Sequence, residues 1–144
     1  MTYSLKPREI ALSDVDVSRV EKDMFVAFYT GFSAKEEYGT RIYFKEHPQL
    51  SYELIHALVN KGISIIGVDF AGIRRGSEHI PIDQCCAERG VFVVENLCNL
   101  QSLLPYGAYF TANTYPMKLT ELSGLPCRVI ASVGASASFQ KSKA

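Results

Sequence analysis

The chain is 144 residues long and 47% hydrophobic, which fits one domain with a real core and argues against disorder or low complexity. Fifteen basic and fifteen acidic residues cancel. With no basic surplus to attract phosphate backbones or anionic lipid, neither a nucleic-acid nor a membrane role is expected.

No apolar run approaches the roughly 18 residues of a membrane span. The N-terminal MTYSLKPREIALSD lacks the apolar core of a signal peptide. Cys85, Cys86, Cys98 and Cys127 show no CxxC spacing and read as reduced, mostly buried thiols of a cytoplasmic protein.

Residues 1–22 are polar and irregular and read as a loosely ordered arm with a short turn near 17–21. A nearly continuous apolar run over 23–29 predicts a strand buried on both faces, stopped at Gly31. Residues 32–47 interleave charges and aromatics and predict a surface excursion with one or two helical turns. The clearest helix is 52–61, with Ser51 as N-cap, Glu53 in the first turn and Gly62 in the left-handed C-terminal position. Leu54, Ile55, Leu58 and Val59 form its apolar face, Leu50 could staple onto Ile55, and His56 lies off the stripe.

A second strand over 63–69 follows, and strand–helix–strand order implies a parallel neighbour reached by a right-handed crossover. Ligands gather beyond the carboxyl ends of parallel strands, which directs attention to Asp69 and the loop 70–80. A helix over 82–89 ends at Gly90, and 91–94 is a third strand with Glu95 and Asn96 at its exit. Segments 108–119 and 126–133 have strand character, and the turn at 121–124 makes them an antiparallel pair. The tail from 134 is small, polar and reads as frayed. The fold class expected is α/β: a mixed sheet with a parallel strand–helix–strand core and an antiparallel C-terminal strand pair. A single domain over 1–144 is expected, with its core at 23–133.

Candidate chemistry concentrates in residues 63–100. Histidine and carboxylate groups are the usual nitrogen and oxygen ligands of zinc or manganese, and His79, Asp83 and Glu95 lie here, Glu95 twelve residues after Asp83. Their spacing is no compact metal motif, and taken alone the charges read more simply as an ion-paired surface loop. Glu95 stands out because it ends an apolar run, where a carboxylate must be paired, metal-bound or protonated. A hydrogen-bonded structural role and a ligand or general-base role stand level for it. Arg74 and Arg75 could grip a substrate carboxylate or phosphate, or remain a solvated pair. Asp69 could orient a neighbouring group or cap the strand-to-loop turn. No Ser/His/Asp order or phosphate-binding glycine loop is present, so no catalytic residue is assigned.

Four segments in register carry a family resemblance. They are Phe28-Tyr29-Thr30-Gly31-Phe32, the run Tyr43-Phe44-Lys45-Glu46-His47-Pro48-Gln49-Leu50-Ser51, Gly67-Val68-Asp69, and Val93-Val94-Glu95-Asn96-Leu97-Cys98-Asn99-Leu100. Together they resemble the cyclase family of metal-dependent hydrolases, which includes the bacterial kynurenine formamidases of tryptophan catabolism. The family shows a TGW-like strand end, a "YF..HP.LS" segment before a helix, a "GID" strand end and a strand closing in "VENL.NL". The resemblance implies hydrolysis of an amide-type bond, N-formylkynurenine being the best-known substrate, by water activated on zinc or manganese.

It also implies two ligands in this region. The family glutamate carries over to Glu95, and the family histidine of a "P.H" segment falls on Asp83, anchored by Pro81. That is a departure, for which His79, four residues earlier, could compensate. The family's HxGTHxDxP stretch, which supplies most of the metal ligands, has no counterpart here, where the histidines are His47, His56 and His79. The expectation is therefore either the carboxyl-terminal part of a longer protein or a shortened relative with an incomplete site. A metal held by two carboxylates alone would bind weakly. A small-molecule substrate and a homo-oligomer are expected, with Arg74, Arg75 and Asp69 as substrate contacts. The alternative is a catalytically inactive relative acting as an oligomerising or ligand-binding module.

Overall fold

The computed structural model describes residues 9–134. The chain divides into two compact units, Met1–Cys98 and Asn99–Ala144. In the first unit the order is β1 (Glu9–Ile10), 3-10 turns at Leu12–Asp14 and Val17–Arg19, β2 (Phe25–Phe28), α1 (Phe32–Lys35), α2 (Arg41–Lys45) and β3 (Gln49–Leu50). Then come α3 (Tyr52–Asn60), β4 (Ile65–Val68), a 3-10 turn at Gly76–Glu78, α4 (His79–Glu88) and β5 (Phe92–Val94). β4 is the middle strand of a three-stranded parallel sheet, between β2 and β5. β1 and β3 form a separate parallel pair.

The apolar alternation of β4 explains its place. Ile66 and Val68 share one face and are fully buried against the helices. Gly67 faces the other way, where the Phe25 ring and Leu97 leave no room for a side chain. On α3, the Ser51 hydroxyl accepts the Leu54 N–H at 3.1 Å, and Gly62 takes the left-handed turn at φ +71°. Leu54, Ile55, Leu58 and Val59 are buried in the same core as Leu50, each contributing about 1.5–3 kcal/mol relative to exposure. His56 is exposed and stacks on Tyr52.

Three elements differ from expectation. α4 begins three residues early, because Pro81 sits in its first turn, where the missing N–H breaks no helical bond. The 32–47 segment is no simple surface excursion. Tyr43 and His47 are only 2% and 1% exposed, drawn in by rings packed at 5–6.5 Å: Phe32 against Tyr43 and His47, Tyr38 against Tyr43, and His47 stacked on Phe70. The arm is tied down over its described part: Ile10 pairs with Leu50, its carbonyl accepts the Ser51 N–H at 2.8 Å, and Val20 is buried. Beyond Gly134, the expected frayed tail lies outside the described residues.

The second unit holds a 3-10 segment at Leu100–Tyr106 and the antiparallel pair β6 (Thr111–Pro116) and β7 (Cys127–Ser132), as the sequence predicts. No residue of either strand is buried. Of the four cysteines, Cys86 alone is buried rather than most of them, and none forms a disulfide. Among the described residues no helix is long and apolar enough to cross a membrane.

Candidate metal centre

Because the sheet is parallel, the chain leaves β2, β4 and β5 at the same edge, and it does so through Thr30-Gly31, Asp69 and Glu95. Asp69 is 1% exposed and fully engaged. Its carboxylate accepts the Thr30 N–H at 3.0 Å, the Thr30 hydroxyl at 2.7 Å and the Gly31 N–H at 2.7 Å. It ties the end of β4 to the end of β2, a structural task of the kind the turn-capping alternative described.

The first part of the loop after β4, residues 69–74, is buried, while Gly76, Ser77 and Ile80 are exposed. Arg74 is its internal strut. The Nε and Nη2 atoms donate to Glu78 at 2.9 and 2.6 Å, while Nη1 donates to Glu9 and, at 2.9 Å, to the Leu50 carbonyl. The guanidinium also lies 4.4 Å over the Tyr52 ring. Through these contacts Arg74 braces β1, β3 and α3 against the start of α4. Arg75 is half-buried; its backbone N–H donates to Gln49 and its Nη1 to the Lys45 carbonyl, each at 2.9 Å.

His79, Asp83 and Glu95 come together. Starting α4 at His79 puts His79 and Asp83 one helical turn apart on the same face, and β5 delivers Glu95 to them. His79 Nε2 stands 3.3 Å from Asp83 Oδ2 and 3.3 Å from Glu95 Oε1. The three candidate ligand atoms lie within 4.8 Å of one another. Two ligands of a tetrahedral zinc, each about 2.1 Å from the ion, stand about 3.4 Å apart, so the spacing suits a divalent ion.

Two further observations fit. Asp83 Oδ1 is buried with no hydrogen-bond partner, a costly state for a carboxylate that a cation would relieve. Burial pushes both acids above the usual carboxylate range, with His79 pulling each back and Asp83 adding to the rise at Glu95. Gly72, at φ +106°, makes the room: a Cβ there would lie 2.5 Å from the His79 ring and 3.0 Å from Glu95 Oε1.

Three neighbours escaped the sequence reading. Tyr43 Oη donates to Asn96 Oδ1 at 2.8 Å, although 53 residues separate them. Asn96 itself turns the chain at φ +56° directly after Glu95. His47 donates from Nδ1 to the Pro48 carbonyl at 2.6 Å, and burial lowers its pKa to about 4, so it is neutral. The "YF..HP" run marked the positions of Tyr43 and His47, but no local pattern signalled their burial.

The architecture is a parallel α/β sheet with an imidazole and two carboxylates gathered at its carboxyl edge. The family follows from direct comparison. Residues 3–74 match the family described as "Putative cyclase", and the chain belongs to that family. The match ends before the His79–Glu95 trio. The fold is that of two solved structures, each superposing with a TM-score of 0.65 at 24% identity over 85% of this chain. One is described as a "potential metal-dependent hydrolase with cyclase activity", the other as a "predicted metal-dependent hydrolase from Bacillus stearothermophilus". The chain spans 57% and 56% of their respective lengths. No curated protein matches it.

Proposed function

We propose that the chain is a metal-dependent hydrolase of amide-type bonds, with His79, Asp83 and Glu95 as protein ligands of one divalent ion. The supporting observation is the trio itself: two carboxylate oxygens, each 3.3 Å from one imidazole nitrogen, beside an orphaned carboxylate oxygen. Three protein ligands with a remaining open position is the arrangement of catalytic rather than structural sites. Two oxygens to one nitrogen tilts the preference from zinc towards manganese. When bound, the ion would supply Lewis-acid charge and lower the pKa of a water. Arg75 is the cation this reading assigns to a substrate carboxylate. Following the family resemblance, an aryl formamide such as N-formylkynurenine is the substrate to test first, and reduced thiols agree with a cytoplasmic setting.

Chelator-treated protein should take up one manganese or zinc ion per chain, measured by equilibrium dialysis and elemental analysis, and should then hydrolyse an aryl formamide. No uptake at any concentration tested would sink the reading. Uptake without turnover of any amide would leave a ligand-binding module instead. Self-association is also proposed, because the second unit exposes Tyr115, Met117, Leu119, Leu122, Leu125 and Ile130. Light scattering should then give a particle larger than the 16.0 kDa chain. A monodisperse monomer would refute it.

A further inference from the structure

The "YF..HP" run and the "VENL" strand end are far apart in sequence, and the metal trio uses only the glutamate of the second. In the structure one hydrogen bond joins them. Tyr43 is 2% exposed, set on α2 by a Thr40 cap and packed against Phe32, Tyr38 and Phe44. A buried phenol needs a partner for its hydroxyl, and this one reaches Asn96 Oδ1 at 2.8 Å.

Asn96 occupies the left-handed region at φ +56°, which asparagine tolerates better than most residues. Its N–H donates to the Phe70 carbonyl at 3.1 Å and the next N–H, of Leu97, to the Val68 carbonyl at 2.9 Å. That turn fixes the backbone on one side of Glu95, and on the other side Val94 is paired with Gly67. Among the described residues, the Tyr43 hydroxyl links this turn to α2, outside the segment that runs from β4 through β5. Upstream, the Asp69 clamp on Thr30 and Gly31 sets the start of α1, and Phe32 at its first position supports the Tyr43 ring.

We propose that Tyr43 and Asn96 form a positioning pair for Glu95. The phenol holds the left-handed turn through the Asn96 side chain, and the turn determines where the Glu95 carboxylate stands relative to His79 and Asp83. The inference rests on the metal-site reading above but concerns this chain's own residues, so it has a test that needs no metal. Partners that orient a ligand typically account for about 10–100-fold in metal affinity.

The variants are Tyr43→Phe, which keeps the ring and removes the hydroxyl, Asn96→Gly, which keeps the turn and removes the acceptor, and the double substitution. Manganese binding measured by calorimetry should weaken about tenfold in each single variant and no further in the double, since one link is being broken twice. In metal-free protein the His79 ring nitrogen resonances should shift in both single variants, while those of the exposed His56 stay in place. Wild-type affinity in both single variants overturns the pairing and leaves the metal site standing. Additive losses in the double overturn it too, because two independent structural effects would add. If wild-type protein binds neither manganese nor zinc, the metal reading fails, and the His79 resonances decide the pairing alone: unmoved resonances overturn it.

Discussion

On the proposed metal site, alanine at position 72 should abolish metal binding as completely as alanine at Glu95. Gly72 sits at φ +106°, where a side chain is strained whatever the space around it. There is also no space, since the new Cβ would fall 2.5 Å from two atoms of the His79 ring. Neither atom is the loose end of a flexible chain. Either the imidazole leaves its two carboxylates or the buried 70–74 loop moves, and Arg74 pins that loop to Glu9, Glu78 and Leu50. The imidazole is the part that gives way.

Manganese affinity in Gly72→Ala should therefore drop by at least about 100-fold, the upper end for losing what orients a ligand. Denaturant stability should fall by about 1–3 kcal/mol from strain and overpacking. Gly76→Ala is the control. It is also left-handed, at φ +61°, but nothing lies within 4 Å of its would-be Cβ, so some stability is lost and the metal is kept. Calorimetric titration of both variants, beside Glu95→Ala, makes the comparison. Undiminished binding in Gly72→Ala would mean that His79 is not a ligand.

The second large effect is on stability against pH, and it belongs to His47. Its imidazole is 1% exposed, stacked on Phe70 and edge-on to Phe32. Burial lowers its pKa from 6.5 to about 4, with Arg75 and His79 adding to the fall and the Pro48 hydrogen bond opposing it. The unfolded chain takes up a proton here below about pH 6.5, whereas the folded chain resists until about pH 4. The stability due to a neutral His47 is thus complete above pH 6.5 and is lost as pH falls through that window.

Between pH 7 and 4.5 the loss should be on the order of 2–3 kcal/mol. Asp83 and Glu95, raised by burial, work in the opposite sense, since protonation suits their folded environment. The measurement is therefore the difference in urea stability between wild type and His47→Leu, both metal-free. That difference should shift against the wild type by about 2 kcal/mol across the range. A difference independent of pH would show that His47 titrates normally.

Much of the fold was legible because its signals are local. Apolar runs gave β2, β4 and β5 to within two residues at either end, and Ser51 and Gly62 bracketed α3. Glu95 was legible for the same reason: a carboxylate ending a core strand needs an explanation. His79 and Asp83 carried a readable one-turn spacing that was obscured by starting α4 after Pro81. The roles of Asp69 and Arg74 were not legible. Their partners are 38 or 39 residues away for Asp69 and as much as 65 for Arg74, and only the tertiary fold spends those charges internally. Tyr43 was hidden similarly, since its neighbours in sequence look like surface and its neighbours in space are aromatic.

The placement of the trio on one helix and the strand that directly follows it has a kinetic consequence. His79, Asp83 and Glu95 all fall within a short stretch of chain, so bringing them together closes only a small loop and costs little entropy. The ligand set can form from the α4–β5 segment as a local folding unit. The Asp69 clamp and the Tyr43–Asn96 link close loops of 38 and 53 residues and must wait for long-range pairing. The topology therefore favours assembling the donors first and locking their geometry last.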